Sequence, residues 1–346
     1  MKKTLLSCAV VLASVSILAS CGGSSEFDTS KNVTAYTRDT TSGTRDGFCT
    51  KIGIEDAKSD DSLLKGGIGQ AASNGDMMTK VAGDLYGIGY ASFSEISTNK
   101  DIKGIKVDGV VATEESIKDG DYNLQRNFNY VYNDKSSDDV MNALVQSYIA
   151  YMNSTDGQAI VESEGGIIED ASKATKSWDE LCADTSNSWA VTLGLNGDTI
   201  NSAVSGKTIT FVGSTSVEAM SEALSDSWVA LFGDVKPSVV HNHTGSGDAI
   251  KNLQNATGQI GFASRDFKDS EKETATTNGW TYGKICLDAI SVIVNVDNPI
   301  ENITTQQIRD IYVNPEAIKD KETSEENFGA DYSSETPITT WSQILG

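Results

Sequence analysis

A strand–loop–helix unit whose loop is built from Gly, Ser and Thr occurs three times along this chain, and it limits the folds open to it. The first unit opens with Asn32-Val33-Thr34-Ala35-Tyr36, a short alternating strand. The loop Thr37-Arg38-Asp39-Thr40-Thr41-Ser42-Gly43-Thr44 follows, and a helix is predicted from Arg45. The second runs from Thr208 to Val212, then Gly213-Ser214-Thr215-Ser216. Its helix carries Val217, Met220, Leu224, Trp228 and Leu231 on one face, at spacings of three and four. The third is Ser238-Val239-Val240, then His241-Asn242-His243-Thr244-Gly245-Ser246-Gly247, with Ala249, Ile250 and Leu253 on its helix. Strands alternating with helices predict α/β layers.

Each loop sets small and hydroxyl residues at a helix N-terminus, where unpaired backbone N–H groups carry partial positive charge. Glycine admits close approach and hydroxyls add donors, which together make an anion site. One such loop is no more than ordinary helix capping. Three of them, the first with Arg38 four residues ahead of Ser42, point to bound oxyanion, since a guanidinium offers a fork of donors. The pattern GxxxxGK[ST] is absent, so a nucleotide P-loop is not indicated, and there is no GxSxG elbow. The two histidines, His241 and His243, share a strand face, with no third metal ligand in view. No metal, cofactor or catalytic nucleophile is expected, and the chain reads as a binding protein, not an enzyme.

The N-terminus has a basic start, Lys2 and Lys3, and an apolar stretch from Leu5 to Leu18. It then reads Leu18-Ala19-Ser20-Cys21-Gly22-Gly23. This is an export signal, too short for a comfortable membrane span. The small residues before Cys21 resemble a bacterial lipobox. That resemblance implies a signal peptide over 1–20, a lipid on Cys21 and a flexible tether over 21–31, placing the protein on the extracytoplasmic face of the cell membrane. About 325 residues remain, enough for two domains. Losing Lys2 and Lys3, and no acid, takes the formal charge from −22 to −24. Such acidity excludes nucleic-acid partners, which need a basic footprint, and it sits in tension with an anion ligand. Cys49, Cys182 and Cys286 are widely spaced and allow at most one disulfide; buried free thiols are expected.

The loops and their neighbours resemble one family closely. Tyr36 to Phe48 looks like the Ser-Gly-Thr phosphate loop of Pst-type phosphate-binding proteins, the solute receptors of phosphate ABC importers. Gly213-Ser214-Thr215-Ser216-Val217, Thr244 to Lys251 and Ile260-Gly261-Phe262-Ala263-Ser264-Arg265 resemble that family's other three phosphate loops. Gly87-Ile88-Gly89-Tyr90, Tyr122 to Arg126, Asp288 to Asn295, Ile303 to Tyr312 and Thr340-Trp341-Ser342 also match.

The resemblance implies an α/β periplasmic-binding-protein-like fold: two α/β lobes, a hinge and a ligand cleft. It implies inorganic phosphate as ligand and a membrane permease as partner, with the chain acting as a monomer. Phosphate would be held by Arg38, Ser42, Gly43, Thr44, Thr215, Ser216, Val217, Ser246, Gly247, Ser264 and Arg265. Phosphate keeps a proton where sulfate does not, so an acceptor is wanted; Asp39 and Asp266 are the candidates. Another oxyanion, such as sulfate or molybdate, or a surface sensor or adhesin on the same fold, are the alternative readings. The order of segments is not the family's: the Ser-Gly-Thr loop comes first and the family's opening half comes last. This implies circular permutation, with Glu169 to Lys207 joining the old ends, or a chain assembled from pieces of two neighbouring genes. One lobe would combine 32–128 with 288–346, and the other would be continuous over 129–287. Crossing strands are expected near Leu124–Tyr132 and Ile285–Asn295, a helix at Ser137–Asn153, and a surface loop from Lys319 to Thr336.

Overall fold

The computed structural model describes residues 27–197, 199–318 and 336–346. The signal segment, Cys21, nearly all of the tether and the segment 319–335 lie outside the described residues.

Eleven strands are described: β1 Thr34–Arg38, β2 Gly69–Ala71, β3 Gly87–Ser92, β4 Ile102–Gly104, β5 Lys106–Val107, β6 Gln125–Tyr132, β7 Thr208–Gly213, β8 Ser238–Asn242, β9 Ile260–Ala263, β10 Thr281–Asn295 and β11 Asn302–Ile303. Nine join one sheet in the order β2-β1-β3-β10-β6-β9-β7-β8, with β4 also on β10; β5 and β11 form a separate pair. At one end β1 runs parallel to β2 and β3. At the other β7 runs parallel to β8 and β9. The long antiparallel strands β6 and β10 join the two halves.

Two large apolar cores flank this junction. One gathers Phe48, Tyr90, Leu124, Ile290, Tyr312 and Trp341, with the Phe48 and Tyr90 rings 3.8 Å apart. The other gathers Phe128, Tyr148, Phe211, Trp228, Phe262 and Cys286. β10 supplies Ala289, Ile290 and Val292 to the first core and Ile285 and Cys286 to the second. It is buried continuously from Ile285 to Val294, as a strand covered on both faces must be. It starts at Thr281, ahead of the expected Ile285, because its first residues pair with β6 out to Tyr132, across a bulge between Lys284 and Cys286.

Local capping chemistry sets the helix starts. The helix Asp139–Met152 begins where Asp138 accepts from the Met141 N–H at 3.0 Å. The helix Gly43–Lys51 starts two residues before Arg45, because Ser42 caps it by accepting from the Arg45 N–H. The stretch Glu169 to Lys207 contains the helices Trp178–Ala183 and Ser188–Leu193, with the Trp178 and Trp189 rings stacked at 5.4 Å. Cys49, Cys182 and Cys286 are buried free thiols. The segment at residues 29–32 lies against the segment at 340–342: Thr340 bridges Asn32, and the Ser342 N–H donates to the Thr29 carbonyl at 2.7 Å. No helix among the described residues is long and apolar enough to cross a membrane.

Candidate functional site

Parallel strands within each half end at the same edge, so the loops after β1, β7, β8 and β9 meet at the seam between the cores. Thr44 Oγ1 lies 2.6 Å from Ser216 Oγ, and Thr41 Oγ1 donates to the Thr244 carbonyl at 3.0 Å. Ser264 N donates to Ser246 Oγ at 2.9 Å, and Ser214 Oγ donates to Ser264 Oγ at 2.9 Å. The seam is closed tightly. A Cβ on Gly43 would stand 2.0 Å from Ser246 Oγ and 2.6 Å from Ser264 Oγ, and Gly245, at φ +143°, lies against the Thr41 carbonyl.

Arg38 is fully buried at the end of β1. Its Nε donates to Ala71 O at 3.1 Å, Nη1 to Asn74 Oδ1 at 3.0 Å, and Nη2 to Ala72 O at 3.1 Å and Thr215 Oγ1 at 2.8 Å. All four acceptors are neutral. Other buried arginines meet carboxylates: Arg45 meets Asp61 at 2.6 Å, Arg126 meets Asp288 at 2.8 Å, and Arg265 meets Asp46 at 2.9 Å and Glu271 at 2.7 Å. Among the described residues Arg38 has no such partner. Burial accordingly pulls its guanidinium below its ordinary value.

Hydrogen-bond polarity follows from these arginines. Arg126 Nη1 donates to Thr44 Oγ1 at 3.0 Å, and Arg38 fixes the Asn74 amide so that its Nδ2 faces Ser216 Oγ at 3.3 Å. Thr44 and Ser216 thus each receive an N–H. They share one hydrogen bond between them but own two hydroxyl hydrogens, so one is left to donate into the seam. The vertex where the loops meet therefore offers hydrogen-bond donation to a ligand.

Other expected residues take different places. The Val217 N–H is turned onto the Ser214 carbonyl at 3.3 Å. Gly247 is exposed at the start of the helix Asp248–Gln254. The Arg265 guanidinium is filled by Asp46, Glu271 and the Asp266 carbonyl, so its side chain ties the two halves together and does not point free donors at the vertex. Asp39 caps its own turn, accepting from Thr41 N at 2.9 Å and Thr41 Oγ1 at 2.5 Å. Asp266 is exposed and accepts from Asn127 Nδ2 at 2.8 Å. The histidines form a chain: His243 Nδ1 meets Ser214 O at 3.0 Å and His243 Nε2 meets His241 Nδ1 at 3.2 Å. Burial pushes His243 down to about 4, so it is neutral and steadies the Ser214 carbonyl by donating to it.

Asn74, Arg126, Asp288 and Glu95 also belong to the site and were not among the expected residues. Arg126 and Asp288 fall inside segments that match the family, but nothing in their spacing marks them as polar partners of Thr44. Asn74 carries a faint signal, as a polar residue opening a Ser-capped helix after β2.

Comparison with known proteins agrees with this architecture. Residues 199–346 match the PBP superfamily domain. A solved phosphate ABC transporter, phosphate-binding protein from Streptococcus pneumoniae TIGR4 aligns with a TM-score of 0.58 at 24% identity, covering 90% of this chain and 99% of that one. The chain thus has a periplasmic-binding-protein-like fold. Over 317 residues it is 28% identical to phosphate-binding protein PstS 2 of Streptococcus pneumoniae serotype 4, covering 90% of this chain and 95% of that protein. It is 28% identical over 304 residues to the PstS 2 of Streptococcus agalactiae serotype V, covering 87% and 91%. The chain is therefore similar to Pst-type phosphate-binding proteins, the family its motifs resemble.

Proposed function

We propose that this chain captures inorganic phosphate at the seam and delivers it to the membrane permease of an ABC importer. In this reading it works as a monomer on the extracytoplasmic face, held by lipid on Cys21. The observation that carries the reading is Arg38, a fully buried cation with only neutral partners. A buried unpaired charge costs several kcal/mol, and an anion in the seam supplies the missing partner. Arg38, Ser42, Gly43, Thr44, Thr215, Ser216, Ser246 and Ser264 would be its ligands. The two halves, 32–128 with 288–346 and 129–287, act as lobes hinged on β6 and β10. The chain aligns over 90% of its length with 95% of one PstS 2 protein, so its order of segments is shared with these relatives and circular permutation is not needed to explain it.

The acidity of the chain does not oppose this. Fixed N–H and O–H donors act at contact distance, while distant charge is screened over about 10 Å at ordinary salt. Asp46 and Arg265 bind across the seam and should hold it shut. Asp46→Asn is expected to weaken phosphate binding a few-fold, about 1 kcal/mol, with a smaller deficit at high salt. Calorimetry at two ionic strengths checks this, and an unchanged affinity would remove Asp46 from closure.

The reading itself is tested by calorimetry on the chain from about residue 24, stripped of anion, titrated with phosphate and then sulfate. Tight phosphate binding that excess sulfate leaves intact is expected. Sulfate binding in its place would reassign the ligand, and binding of neither would overturn transport.

A further inference from the structure

The donors at the vertex leave open what answers the proton that phosphate carries. Asp39 is folded onto Thr41 and Asp266 onto Asn127. One further carboxylate stands next to the vertex, behind Asn74. Glu95 sits half-buried in the turn-long helix Phe93–Ile96 directly after β3, and its Oε1 accepts from Asn74 Nδ2 at 2.5 Å. The same amide nitrogen contacts Ser216 Oγ, and the same side chain carries Arg38. Glu95 is therefore one side chain removed from the hydroxyl that faces the seam. Among the described residues its carboxylate makes this one hydrogen bond.

The charged groups that face Glu95 are Arg38 from β1, Arg126 from β6 and Asp288 from β10, with the neutral Asn74 between. Asp288 is fully committed, accepting from Arg126 Nε, Ser92 Oγ and Ser94 N. With Glu95 ionised, two arginines and two carboxylates cancel. With Glu95 protonated, one positive charge is left for the ligand.

We propose that Glu95 is a specificity-determining residue that shares a single proton with the bound oxyanion, an inference that rests on anion binding at Arg38. A dianion enters with a proton on Glu95, and a monoanion brings its own and leaves Glu95 ionised. Either route gives a complex holding one proton. Burial pushes Glu95 up to about 7, with Asp288 adding to the rise and Asn74 and the two arginines opposing it, so the exchange falls in the working range of phosphate itself. The sign follows from linkage. Above about pH 7 both free partners have lost the proton, binding must take one up, and affinity falls as pH rises.

The test is calorimetry with inorganic phosphate on the wild type and Glu95→Gln, from about pH 6 to about pH 8.5, in two buffers of different ionisation enthalpy. At about pH 8.5 the wild type is expected to take up close to one proton per phosphate. Glu95→Gln, a permanent mimic of the protonated acid, should take up almost none and bind about tenfold more tightly than the wild type, the gap closing toward pH 6. Equal proton uptake in both proteins, or none in the wild type, overturns the proposal. Absence of uptake in the wild type overturns the proposal even if the variant does not fold. Arg38→Ala separates the two levels. If it abolishes binding while Glu95→Gln leaves proton uptake unchanged, the phosphate site stands and the role of Glu95 falls. If the wild type binds no anion, both fall.

Discussion

Gly43→Ala is expected to abolish phosphate binding while leaving the chain folded and slightly more stable. The added methyl would stand 2.0 Å from Ser246 Oγ and 2.6 Å from Ser264 Oγ, closer than real atoms approach. Both serines belong to the opposite half, so the clash acts only when the seam is shut. Within its own half Gly43 opens the helix Gly43–Lys51, where alanine is favoured over glycine by about 0.5–1 kcal/mol. Thermal unfolding without ligand should therefore be unchanged or raised by a few degrees. Calorimetry should show a loss of at least about 100-fold, or about 2.8 kcal/mol. Wild-type affinity in this variant would mean that anion binds without the seam closing as seen here.

The second large effect contrasts two buried arginines. Arg38→Met removes a cation whose partners are all neutral. It orphans Asn74 Oδ1 and the Ala71 and Ala72 carbonyls, at about 1–3 kcal/mol for each group left unsatisfied. It also relieves a buried unpaired charge worth several kcal/mol. The two nearly cancel, so the ligand-free protein should melt close to the wild type. Its stabilisation by phosphate should vanish, because truncating one side of a buried charged pair costs about 2–5 kcal/mol of binding. Arg126→Met behaves oppositely. It strands Asp288, which is fully buried and donates to nothing, and should cost about 3–5 kcal/mol of folding stability. Melting curves of both variants with and without phosphate check the pair. Equal destabilisation would mean that Arg38 is a structural cation, and the proposed site would lose its central argument.

How much of this was legible beforehand varies by element. The three Gly/Ser/Thr loops, the helix starting near Arg45 and the helix from Asp139 could be read because their causes are local. A serine or aspartate caps the next turn wherever the chain goes. The crossing strands at Leu124–Tyr132 and Ile285–Asn295 were implied by the family resemblance, although Thr281 as the start of β10 was not, because that end is set by pairing with β6. The site was half legible. Its loops converge as their chemistry implied. Arg265 does not offer the vertex its side chain, and Asn74, Glu95, Arg126 and Asp288 come from positions no pattern joins to a loop.

The amino-acid sequence by itself determined the α/β alternation, the helix N-termini with their donors and the presence of Arg38 beside Ser42-Gly43-Thr44. These depend on residues within a few positions of one another. Only the tertiary structure decided which arginine is left without a carboxylate. Arg38 has Asp39 as its chain neighbour, yet Asp39 folds back onto Thr41, while Asp46 and Glu271 close on Arg265 from two directions. Coulomb energy and desolvation depend on distance through space and on exclusion of water. The packing of two cores, not the order of the letters, therefore made one guanidinium a saturated clasp and left the other with neutral partners alone.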